Sequence, residues 1–67
     1  MGESRLGQLL KNEISFLSNL TEKAAIDIRV AKKIEDKEME KKAIESLTRF
    51  ERLISAYTEE LANIPKE

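Results

Sequence analysis

Two carboxylates intrude on otherwise apolar helical faces, Glu13 and Glu40, and they are the first places to look for chemistry. The chain has no His and no Cys, so a nucleophile and its base would have to be drawn from Lys, Asp, Glu and Tyr. If the chain folds back on itself near Asp36, Glu13 faces the region of Glu59 and Glu60, and Glu40 faces Lys32. The two carboxylates then sit at opposite ends and cannot work as one acid/base pair. Glu13 with Glu59 or Glu60 offers oxygen donors of the kind that hold Ca²⁺ or Mg²⁺. The Glu-x-x-His of bundle metal sites is absent, and these residues read more simply as solvated charges at an open bundle end. Lys32 and Glu40 are expected to form an inter-helix ion pair above the core. No catalytic residue, metal site or cofactor is expected.

The one basic concentration is Arg29, Lys32, Lys33, Lys37, Lys41 and Lys42. Glu35, Asp36, Glu38 and Glu40 are interleaved with it, which dilutes any attraction to phosphate. Net charge is −1, so no global field draws the chain to nucleic acid or anionic lipid. Phe50 and Tyr57 belong to an apolar stripe, which leaves no stacking platform for single strands. Arg29, Lys32, Lys33, Lys37 and Lys41 are therefore a candidate anion or nucleic-acid contact of secondary rank. A solvated charged turn is the favoured reading of them.

The elements that position these residues follow from periodicity. Leu6, Leu10, Ile14, Leu17, Leu20, Ala24, Ile28 and Ala31 recur at steps of three or four, and Leu9, Phe16 and Ile34 widen the stripe on one side. At about 100° per residue the widened stripe spans about 160°. Met39, Ala43, Leu47, Phe50, Ile54, Tyr57, Leu61 and Ile64 form a second stripe, widened by Leu53 and suited to shallow-angle packing. Leu47 and Phe50 lie in its middle and are expected among the most buried side chains. Pro65 is expected to stop this helix.

The two stripes are out of phase by about 80°. Continuing the first one past Ile34 lands on Glu38, Lys41, Glu45 and Thr48, all polar. A turn is therefore expected between Glu35 and Glu38, with Asp36 as N-cap of the second helix. The fold class is all-α: a single domain, 1–67, forming an antiparallel hairpin of helices at about 5–34 and 37–64. The alternative is a three-helix bundle with a break near 18–22, where Asn19 or Thr21 would cap a new helix.

A chain of 67 residues is near the lower limit for a self-sufficient core, and this one has no disulfide to staple it. A stripe of about 160° suits two neighbours instead of one, as in a four-helix bundle. Leu9, Phe16 and Leu53 are the expected interface residues of a homodimer of hairpins. Ile26 and Val30, four residues apart on the far side of the first helix, are a second candidate docking patch. The expected function is that of a non-enzymatic interaction module that pairs with itself and with another protein; the alternative is a small nucleic-acid-binding regulator. No apolar run approaches the ~18 residues of a membrane span. The first residues lack the apolar stretch of a signal peptide, so no membrane association and a cytoplasmic location are expected.

Overall fold

The computed structural model describes residues 4–64. They form two helices, α1 (Arg5–Lys33) and α2 (Lys37–Ala62), packed antiparallel as a hairpin. Pro65 lies outside the described residues.

Ser4 begins α1. Its backbone is extended, and its hydroxyl accepts from the Gly7 N–H at 3.1 Å, satisfying one donor that the first turn leaves open. Lys32 and Lys33 in the last turn complement the negative end of the helix dipole. The helix then closes on Ile34 and Glu35. The Asp36 N–H reaches back to the Ala31 carbonyl at 2.9 Å, and the Glu35 N–H to the Lys32 carbonyl at 3.3 Å. Both are bonds of the kind that tie off a helix C-terminus. This closure requires a left-handed residue, and Glu35 supplies it with φ 56°. Asp36 is the N-cap of α2, as its place in the sequence predicts, accepting from the Met39 N–H at 3.0 Å. Glu38 and Glu40 occupy the first turn of α2, where negative charge is favoured.

No break occurs near 18–22, and the three-helix alternative is set aside on this point. α1 runs straight through. Thr21 does not cap a new helix; its hydroxyl donates back to the Leu17 carbonyl at 2.9 Å, inside the same helix.

The buried seam of α1 is Gly7, Leu10, Ile14, Leu17, Thr21, Ala24, Ile28 and Ala31, all buried or half-buried, in alternating three- and four-residue steps. It differs from the expected stripe at two points. Gly7 is buried while Leu6 stays 57% exposed, and Thr21 joins the row beside a half-buried Leu20. Ile34, expected to widen the stripe, is 61% exposed at the turn. On α2 the seam is Glu40, Ala43, Leu47, Phe50, Ile54, Tyr57, Leu61 and Ile64.

Two distances fix the register between the seams. A Cβ built on Gly7 would lie 3.9 Å from Ile64 Cδ1, and Lys32 Nζ lies 4.0 Å from Glu40 Oε2. Carried along both helices, that register sets Leu10 against Leu61, Ile14 against Tyr57 and Leu17 against Ile54. It then sets Thr21 against Phe50, Ala24 against Leu47 and Ile28 against Ala43. In the half nearer the turn a small residue faces a large one in each of these last layers, which lets the helices interdigitate; the other half pairs large residues, except at Gly7. Gly7 is part of this arrangement: a side chain there would crowd Ser4 Oγ, only 3.3 Å from the built Cβ.

The seam is narrow. Its best-covered members are Gly7, Leu17, Ala24, Ala31 and Ala43. Leu47 and Phe50 are half-buried, contrary to expectation, because one neighbouring helix covers only one flank of a large side chain. Among the described residues, none of the large side chains is fully buried; Leu17, at 4% exposure, comes nearest.

Two outcomes follow from this packing. Replacing Glu35 by Gly relieves a left-handed position that a β-carbon disfavours, and should stabilise the fold by about 1 kcal/mol in urea or thermal melts. Leu17→Ala should cost about 3 kcal/mol; Ile44→Ala, at an exposed site on α2, should cost under about 0.5 kcal/mol in the same melts. Equal losses at the two sites would show the seam misassigned.

Candidate functional site

The surface of α1 carries a second row beside the seam. Leu6, Leu9, Glu13, Phe16, Leu20, Lys23, Asp27, Val30 and Ile34 follow the same alternating three- and four-residue steps. Each member up to Val30 precedes a seam residue by one position, so the two rows lie about 100° apart around the helix. Six of the nine are apolar. Leu9 is 53% and Phe16 56% exposed; Leu6, Val30 and Ile34 are also exposed, while Leu20 and Asp27 are half-buried.

On the same side of the hairpin α2 places Met39 and Leu53, both half-buried. An open groove between the helices on this side is lined by Leu20, Lys23, Asp27, Met39, Lys42 and Phe50. Leu9 and Phe16 are exposed on α1, and Leu53 is half-buried on α2, where it also borders Arg49 and Arg52. The other edge is more polar: α1 places Lys11, Ser18, Ala25 and Lys32 there, and α2 places Ile44, Glu51 and Thr58.

Ile26 and Val30 are both exposed, at 59% and 41%, one turn apart on α1. Val30 belongs to the apolar row, and Ile26 adjoins it towards the outer side of α1. The basic residues Arg29, Lys32, Lys33, Lys37 and Lys41 are all exposed and all lie at the turn end of the hairpin. Glu35, Asp36 and Glu38 are exposed among them, and Lys32 is shared with Glu40. With the lysine side chain largely in water, that ion pair is worth no more than about 1 kcal/mol. Glu13, Glu59 and Glu60 are exposed. Among the described residues no three carboxylates gather as a metal ion requires, and no polar or charged side chain is buried. No described helix is long and apolar enough to cross a membrane.

The overall dimensions bear on the apolar face. The Cα radius of gyration is 15.5 Å, against about 11 Å for a compact domain of this length. The accessible surface is 5642 Å², against about 4,300 Å² for a compact monomer of 7.7 kDa. The surplus exceeds the roughly 800 Å² that each partner contributes to a standard interface.

No family model, curated protein or solved structure matches this chain.

The interleaved acidic side chains at the turn should suppress phosphate binding. A labelled DNA duplex titrated at low ionic strength is expected to show no salt-dependent shift in anisotropy; a clear shift abolished by salt would restore the nucleic-acid reading.

Proposed function

We propose that this protein is a non-enzymatic helical interaction module whose working surface is the exposed apolar row of α1. Its first partner is a second copy of the same chain, and the pair forms a four-helix bundle. The observation that carries this reading is the row itself. Leu6, Leu9, Phe16, Leu20, Val30 and Ile34 lie beside a seam that one neighbour already fills, and Leu53 adjoins them from α2.

Apolar side chains are costly to leave in water at about 25 cal/mol per Å², and this row gathers six of them, although Glu13, Lys23 and Asp27 divide it. A helix with two apolar rows about 100° apart can pack on two neighbours at once. A second hairpin brought up by a two-fold axis provides the second neighbour and covers the open flanks of Leu47 and Phe50 in the same step. The bundle so formed presents charged outer faces, through which a further protein would be engaged.

Sedimentation equilibrium at micromolar concentration should give about twice the chain mass of 7.7 kDa, with a melting temperature that rises with concentration. Phe16→Glu with Leu53→Glu should lower the assembled fraction before it lowers helicity. A 7.7 kDa species persisting at high micromolar concentration would overturn the dimer.

A further inference from the structure

We infer that the second copy docks antiparallel, α1 against α1, in the one register that pairs Glu13 of each copy with Lys23 of the other. This rests on the self-association reading above and specifies its geometry.

The inference comes from the three charges in the apolar row. In a packed row of alternating three- and four-residue steps, antiparallel helices meet in layers that combine one position of each kind. The layers with Glu13 facing Lys23 also place Phe16 against Leu20 and Leu6 against Val30, each twice by symmetry. The centre of the interface is then four large apolar side chains, flanked on each side by an ion pair. Asp27 falls opposite Leu9, towards the ends, at the groove that Lys23 and Lys42 also line.

The neighbouring registers lack this match. A shift of one heptad in one direction puts Glu13 against Val30 and Lys23 against Leu20. A shift in the other puts Glu13 against Phe16 and Lys23 against Leu6. The proposed register leaves only Asp27 facing an apolar residue, whereas either shift sets both Glu13 and Lys23 against hydrocarbon without a partner. A parallel arrangement stacks Glu13, Lys23 and Asp27 each on its own copy, juxtaposing like charges three times. Within each hairpin Leu53 is level with Ser18, and the two-fold axis of the proposed register passes at that same level, midway between Phe16 and Leu20. The two copies of Leu53 therefore approach each other at the axis, which joins the α2 contribution to the same interface.

The test is a charge swap. Glu13→Lys alone and Lys23→Glu alone each turn both ion pairs into repulsions and should raise the dimer dissociation constant about tenfold or more. Both positions are exposed, so the hairpin itself should keep its helicity. The double variant, Glu13→Lys with Lys23→Glu, should return to within about threefold of the original affinity. A second measurement uses the absence of cysteine in the chain. Oxidising a mixture of the Glu13→Cys and Lys23→Cys proteins should yield mainly the mixed disulfide, because identical positions lie about 15 Å apart along the axis. If the unaltered chain dimerises but the double variant does not recover, or if disulfides between identical positions dominate, the register is wrong while self-association stands. If the unaltered chain stays monomeric, the register and the self-association reading fall together.

Discussion

Two helices can shield only one stripe of each other, and this geometric limit governs the whole molecule. A residue on the seam is covered by the facing helix, but its flanks remain open unless the side chain is small. That is why the best-covered positions are Gly7, Ala24, Ala31 and Ala43, with Leu17 the one large side chain among them. The hydrophobic effect, which normally rewards the largest buried side chains, here acts mostly through half-covered ones. Small residues let the helices approach closely, and the larger residues opposite them fill the space so created. A third and fourth helix would change this balance without altering the seam, because they would cover flanks that the hairpin leaves open.

Much of the architecture was legible in the sequence. The phase jump between Ile34 and Met39 places the turn, and Asp36 is recognisable as a cap because its carboxylate can reach the first open N–H groups. Leu9, Phe16 and Leu53 could be assigned to a surplus face because they lie outside the arc that one neighbour needs. Other features were hidden for identifiable reasons. Ser4 precedes a glycine-containing first turn with no acidic residue in it, so the usual helix-start pattern is weak. Glu35 adopts a left-handed conformation that its side chain gives no reason to anticipate.

The seam of α1 is the more instructive case. A stripe drawn through the most apolar residues selects Leu6 and Leu20, whereas the contact row passes through Gly7 and Thr21. The two rows differ by one residue, and a scale of hydrophobicity favours the wrong one wherever packing requires a small side chain. Thr21 is accommodated because its hydroxyl is already satisfied within the helix by the Leu17 carbonyl, leaving its methyl group for the seam. Once the contact row is correctly placed, Glu13 ceases to be an intrusion on the core stripe and stands in one row with Lys23. They become members of a second row with its own periodicity, which neither residue reveals alone.

The antiparallel course of the hairpin also sets how it responds to load. Gly7 packs beside Ile64, so α1 begins and α2 ends at the same extremity of a body 52 Å long. Tension applied between those two points would peel the seam like a zipper, parting one layer at a time against a small restoring force. Tension between the turn and either extremity would instead act along the helix axes and strain every layer together. The fold is therefore mechanically anisotropic: compliant when its two ends are drawn apart, and stiff when stretched along its length.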